Sequence, residues 1–361
     1  MLEPEIVNLD EVPSPALLVE EEVVRANIGR AVEMADGVEW MRPHIKTHKS
    51  VDVLGLQREA GIEKFKCATM AEAELAARAG AEDVLVAMQP VGPAVGRLLG
   101  LVKAYPDTRF RTIGDDAGAM RALGALFAEG GEEVDVLLDI DCGMGRTGVE
   151  SVEAGALLYG LLGELEGLRA GGFHFYDGHV TAADESMREE AFRMVMGRVR
   201  EFERVVEGEV PLLVGGGSPT FAMHAREAGV ECSPGTFVFW DAGYGELYPE
   251  LPFEPAAWLL SRVVSRPGVG RVCLDLGHKA VAAERELERR VVFPGLSGVR
   301  AVLQSEEHLV MECEEAEELG VGREIFGVPW HICPTVALYG VMRVVRGGRV
   351  VGEWRVEGRD A

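Results

Sequence analysis

The stretch Val134–Phe175, VDVLLDIDCGMGRTGVESVEAGALLYGLLGELEGLRAGGFHF, holds one complete structural unit. Val134–Asp139 is an apolar run of strand length, Val152–Leu165 has apolar residues at helical spacing, and Gly172–Phe175 is a second apolar run. Two buried strands joined through a helix read as a parallel pair, because parallel strands need a crossover of about a dozen residues or more. The same alternation extends in both directions. Strand-like runs fall near Val38–Arg42, Lys64–Ala68, Val84–Met88, Arg109–Ile113, Leu212–Val214 and Val230–Cys232, with helical patterns at Met70–Ala79, Pro93–Ala104, Ala117–Phe127 and Glu185–Val206. That count predicts an α/β fold, a (β/α)8 TIM-type barrel over residues 15–250, with a doubly wound open sheet as the competing architecture. An earlier run, Ala16–Val19, followed by a helix at Glu21–Met34, is one strand too many and is assigned to the other domain or to a crossover. After Phe253 the apolar runs are short and separated by Gly, Pro or charged turns. They predict a C-terminal all-β domain over 251–361, joined by residues 1–14, ending in a hairpin around Gly347–Gly348.

Of 361 residues, 47% are hydrophobic and 27% charged, ample for a large core. Lys and Arg number 36 against 60 Asp and Glu, a formal charge of −24, which argues against nucleic-acid and membrane partners. No apolar run approaches the roughly 20 residues of a membrane span, and the start MLEPEIVNLDE lacks the basic and apolar regions of a signal peptide. With six scattered cysteines and no C-x-x-C pair, a reducing, cytoplasmic setting is expected.

Six lysines occur in the whole chain, and two of them stand with two histidines in Met41-Arg-Pro-His44-Ile-Lys46-Thr-His48-Lys49, at the end of the first barrel strand. A Lys crowded by cations at a strand end can form a Schiff base; the plainer reading is a solvated basic loop. Gly215-Gly216-Gly217-Ser218-Pro219-Thr220 follows the seventh run and precedes a helix, and Ser233-Pro234-Gly235-Thr236 follows the eighth. These are the two loops in which barrels commonly hold a phosphate, although a Gly-rich turn is often only a turn. Lysine opposite a phosphate cup suggests pyridoxal phosphate (PLP). Arg146 in Asp139–Gly148 could hold an anionic oxygen, Tyr176 could flank a flat ring, and His179 could serve as acid or base. His331 and Cys333, two apart in an extended segment, could share a metal, or Cys333 could be an ordinary buried thiol.

Together R-P-H-x-K-T-H-K, D-x-D-x-G-x-x-R-x-G, G-G-G-S-P-T, P-G-T with Asp241 beyond it, and H-x-C-P-T resemble the D-threonine aldolase and D-serine dehydratase family of PLP enzymes with an alanine racemase-type barrel. The resemblance runs from about Pro13 to Leu338. It implies that Lys46 carries the Schiff base and that Arg146 meets the cofactor's 3-oxygen beside Tyr176. It places the phosphate on Gly216, Gly217, Ser218, Gly235 and Thr236, with His44 and Asp241 among the cofactor's neighbours. His331 and Cys333 would hold a divalent metal, zinc first, manganese or magnesium otherwise. Ser233 stands where racemases of this type have an arginine against the pyridine nitrogen, which speaks against racemization. The implied activity is metal-assisted cleavage of a small D-β-hydroxy amino acid to glycine and an aldehyde. Dehydration of D-serine to pyruvate and ammonia is the alternative, and a non-catalytic PLP-binding protein the rival from another class. A homodimer is the family's assembly.

Overall fold

The protein is described here as a computed structural model covering residues 2–359. Its described residues divide into two compact units: 2–30, Thr47–Val53 and Thr236–Glu357 form one, and Ala31–Lys46 with Leu54–Gly235 form the other. The dividing lines therefore differ from a single boundary at residue 250. The physical reason at the start of the chain is β1 (Ala16–Glu20), which pairs antiparallel with a strand beginning at Ala257 and parallel with one beginning at Val341.

In the barrel unit, β2 (Lys64–Cys67), β3 (Asp83–Val86), β4 (Arg109–Gly114), β5 (Val134–Ile140), β6 (Leu168–Phe175), β7 (Leu213–Gly215) and β8 (Val230–Cys232) pair in sequence order, all parallel. The expected first strand, Val38–Arg42, is not regular. Val38–Trp40 is a 3-10 turn, and Pro43 offers no N–H to a ladder. Single parallel bridges Met41 to Cys232 and His44 to Lys66 nevertheless put this segment between β8 and β2 and close the barrel. Helices Met70–Arg78, Pro93–Ala104, Ala117–Gly130, Val152–Glu164 and Glu185–Val205 follow the expected patterns. Thr69, Asp116, Ser151 and Asp184 cap four of them by accepting a backbone N–H. The helix Val51–Glu59 was not anticipated.

Side-chain alternation gives the barrel three interior layers. A Cβ on Gly155 of the Val152–Glu164 helix would lie 3.4 Å from Leu138, so Leu138 faces the helices and Asp135, Leu137 and Asp139 face inward. At the N-terminal strand ends, Arg42 pairs with Asp83 and Glu231, each at 2.6 Å, Arg111 bridges Asp83 (2.8 Å) and Asp135 (3.2 Å), and Asp135 also accepts from Arg109 and Arg169. Above these ions lies an apolar layer of Leu85, Ile113, Leu137 and Val214. The third layer, toward the C-terminal strand ends, is polar again.

In the other unit, β9 (Ala257–Gly268), β10 (Arg271–Leu274), β11 (Val291–Val292), β12 (Arg300–Gln304), β13 (Leu309–Glu312), β14 (Glu324–Pro329), β15 (Val341–Arg346) and β16 (Arg349–Arg355) form, with β1, one mostly antiparallel sheet. Its core gathers Leu18, Trp258, Leu260, Phe326, Val328 and Val345. Gly347 and Gly348, with φ of +55° and +69°, make the expected hairpin between β15 and β16.

Candidate active site

The polar layer of the barrel converges on Tyr176, the residue after β6. Lys46 Nζ lies 5.6 Å from the centre of its ring, Lys66 Nζ 5.9 Å, and the Arg146 guanidinium 4.9 Å. Lys46 sits in the short turn Ile45–Thr47, which the barrel-closing segment delivers to this end. Three cations around one half-buried ring attract a flat, anionic ligand. Beneath them runs a buried chain that sequence reading missed. His174 Nδ1 is 2.7 Å from Asp139 Oδ1, and His174 Nε2 is 3.4 Å from Lys66 Nζ. Burial, and then the neighbouring Lys46, push Lys66 down to about 7. Burial and Lys66 hold His174 below its ordinary value. The available signal was the parity of Lys64-Phe-Lys66-Cys, which turns Lys66 to the same face as Lys64.

The two glycine-rich loops lie at the same strand ends. Gly216 has φ +82°, and a Cβ there would fall 2.4 Å from His224 Cδ2; His224 is buried and bonded to Asp177 at 2.8 Å. At Gly217 a Cβ would stand 3.2 Å from the Tyr176 ring. The Gly235 N–H donates to Ser218 Oγ at 3.4 Å, tying the two loops together. The helix expected after Gly217 is only Phe221–His224, behind a 3-10 turn, so its dipole contributes little, and an anion here would rest on backbone and hydroxyls. Ser233 is 4% exposed, yet its Oγ has no hydrogen-bond partner. A buried hydroxyl left open beside a pinched glycine loop, together with the cations around Tyr176, fits a phosphate-bearing heteroaromatic cofactor such as PLP. His44 is buried, and its Nδ1 accepts from the Lys46 N–H at 3.2 Å. His179 is exposed on its loop and faces Gly143, where a Cβ would lie 3.0 Å from its Nε2.

In the β-sheet unit, His331 and Cys333 occupy the cap and first turn of the helix Ile332–Val336 rather than an extended segment; Pro334 is tolerated in a first turn. His331 Nδ1 is 2.7 Å from Glu284 Oε1. Burial works against its charge, but hydrogen bonds to Cys333 and Glu284 draw it up to about 9. Cys333 Sγ lies 3.2 Å from Thr47 Oγ1 and 3.6 Å from Thr236 Oγ1. Asp241, pushed up to about 6 by burial, accepts from the Tyr244 N–H at 2.8 Å and the Ile332 N–H at 3.1 Å. It thus anchors the His331–Cys333 segment. Among the described residues no group of three or more His, Cys, Asp and Glu is placed to hold a metal. One imidazole and one thiol are a donor pair suited to a borderline or soft divalent ion with open positions. No helix among the described residues is long and apolar enough to cross a membrane.

A parallel barrel with a lysine, a cation-ringed tyrosine and two glycine loops at its C-terminal strand ends, carried on a chain with a separate β-sheet unit, defines the alanine racemase-type class. The sequence model of the alanine racemase N-terminal domain matches residues 19–242, well over half of the chain, and a serine dehydratase domain model matches residues 256–345. The chain belongs to the alanine racemase N-terminal domain family of barrels. It is similar to the D-threonine aldolase of Arthrobacter sp, 28% identical with 97% of this chain and 94% of that protein covered. It is also similar to the D-threo-3-hydroxyaspartate dehydratase of Delftia sp. strain HT23, 27% identical with 94% and 96% covered. The crystal structure of D-threonine aldolase from Filomicrobium marinum superposes with a TM-score of 0.89 at 27% identity, covering 99% of this chain and 98% of that one.

Proposed function

We propose that the protein is a metal-dependent PLP lyase acting on D-β-hydroxy amino acids, with aldol cleavage to glycine and an aldehyde as its main reaction. The observation that carries this reading is the placement of Lys46 with Arg146 and Lys66 around Tyr176. Lys46 would bind the cofactor covalently, and Tyr176 would flank its ring. Arg146 would hold its 3-oxygen, and Gly216, Gly217, Ser218, Gly235 and Thr236 its phosphate. Ser233 would offer a neutral hydroxyl to the pyridine nitrogen. PLP supplies an electron sink for the bond broken at the α-carbon. His331 and Cys333 would hold a divalent metal, zinc before manganese or magnesium, which supplies Lewis acidity toward a β-hydroxyl. Asp241 and Glu284 keep those two donors in place.

The names of the relatives, an aldolase and a dehydratase, support both cleavage and dehydration as reactions of this architecture. A non-catalytic PLP carrier has no use for the His331–Cys333 pair. The test is a panel of D-amino acids (threonine, 3-hydroxyaspartate, serine), assayed for glycine and for 2-oxoacid with and without chelator. Glycine from D-threonine, lost on chelation, is expected. A 2-oxoacid as the sole product makes the protein a dehydratase, and no product from any member makes it a carrier. Size-exclusion chromatography with light scattering checks the homodimer.

A further inference from the structure

The barrel interior holds a second lysine that none of these assignments uses. Lys66 is 2% exposed. Its partner chain fixes the direction of the hydrogen bonds. The Asp139 carboxylate can only accept, so His174 Nδ1 carries the proton, Nε2 is left as an acceptor, and Lys66 donates to it. The second oxygen of Asp139 is buried with no partner, so this chain ends at a carboxylate with acceptor capacity to spare. Lys66 and Lys46 approach one ring, Tyr176, at 5.9 and 5.6 Å. The charged and titratable groups that face Lys66 are Lys46, His174, Asp139, Asp177 and Arg42. The positive charge of Lys46 acts on Lys66 and, with burial, disfavours a proton on the Lys66 amine.

We propose that Lys66, held by His174 and Asp139, is the proton partner of Lys46. It takes a proton from the Lys46 ammonium before that amine bonds the cofactor carbonyl, and it returns the proton when substrate displaces Lys46. An N–H bond of Lys46 breaks as one on Lys66 forms, with no change of oxidation state. Lys66 acts through Lys46 and is in that sense a positioning residue. The proposal rests on the reading of Lys46 as the cofactor lysine. It also accounts for the downward push that burial and Lys46 give the Lys66 amine.

With six lysines in the chain, lysine-selective ¹³C labelling yields six side-chain signals in the cofactor-free protein. One should titrate near neutrality and disappear in both Lys66→Met and Lys66→Arg, the latter retaining a buried cation if the former fails to fold. In the holoprotein, stopped-flow absorbance should show substrate displacing Lys46 at least ~100-fold more slowly in both variants, the lower bound for a lost acid–base partner. The near-neutral limb of the pH profile should go with it. A Lys66 signal that titrates only with the exposed lysines overturns the proposal whatever the enzyme's reaction. So does wild-type displacement in Lys66→Met, or full rescue by Lys66→Arg. Absence of lyase turnover with the titration intact would count against the proposed function alone.

Discussion

Gly216→Ala separates the phosphate-loop reading from that of an ordinary turn. The residue has φ +82°, and an L side chain in that region costs about 1 kcal/mol. The new Cβ would also fall 2.4 Å from His224 Cδ2, and His224 cannot retreat because it is fully buried, bonded to Asp177 and edge-on to Phe192. Overpacking against a fixed neighbour costs about 1–3 kcal/mol, so the total is roughly 2–4 kcal/mol. The loop relieves that strain by moving, and an anion seat made of its backbone is lost with it. At 1.4 kcal/mol per factor of ten, PLP affinity should fall about 30- to 700-fold. Gly217→Ala is the control: its φ of −123° suits any residue, and its Cβ meets only the edge of the half-buried Tyr176 ring at 3.2 Å, which can give by a few tenths of an ångström. The assay titrates cofactor-free protein with PLP by visible absorbance, with thermal unfolding in parallel. Gly216→Ala binding PLP within threefold of wild type, at an unchanged melting temperature, would refute the reasoning.

Lys46→Ala should lose the visible absorbance of lysine-bound PLP, while Lys49→Ala keeps it; Lys49 is committed to the chain end through its carbonyl, which accepts from Glu357. Trapping with borohydride and peptide mapping would expose any bond that Lys66 makes in place of Lys46. Cys333→Ala should keep the absorbance and fold, bind added zinc at least tenfold more weakly by calorimetry, and lose turnover by orders of magnitude; equal activity with and without chelator would remove the metal from the mechanism. Asp135→Asn should lower stability at neutral pH by about 2–4 kcal/mol, because Arg111 is nearly buried, whereas Arg109 and Arg169 are half exposed and contribute little. Burial opposes the Asp135 charge, but the three arginines hold its carboxyl below the ordinary value. The stabilisation is therefore complete above about pH 4 and fades as pH falls through the folded-state value, so wild type and variant should converge in acid denaturation; a gap that persists there would contradict this.

Periodicity carried most of the fold, since the buried strands and the long helices, Glu21–Met34 among them, repeat at spacings that local chemistry enforces. It failed where a partner decides. Met41–His44 holds its place through Cys232 and Lys66, not through a strand pattern of its own. The Arg42–Asp83–Arg111–Asp135 layer is assembled from strands far apart in the chain. Lys66 is placed by partners in the same way, through His174 on a strand far away in the chain. In the folded chain burial and Lys46 push the Lys66 amine down to about 7. The layers also explain why a chain of charge −24 can hold an anion at one end of its barrel. Below Leu85, Ile113, Leu137 and Val214, arginines and carboxylates pair with one another. Above them, Lys46, Lys66 and Arg146 face Asp139 and Asp177, and Asp177 is already engaged by His224. That surplus of positive charge would be balanced by the phosphate proposed for the glycine loops, so a local field can favour PLP against the charge of the whole chain.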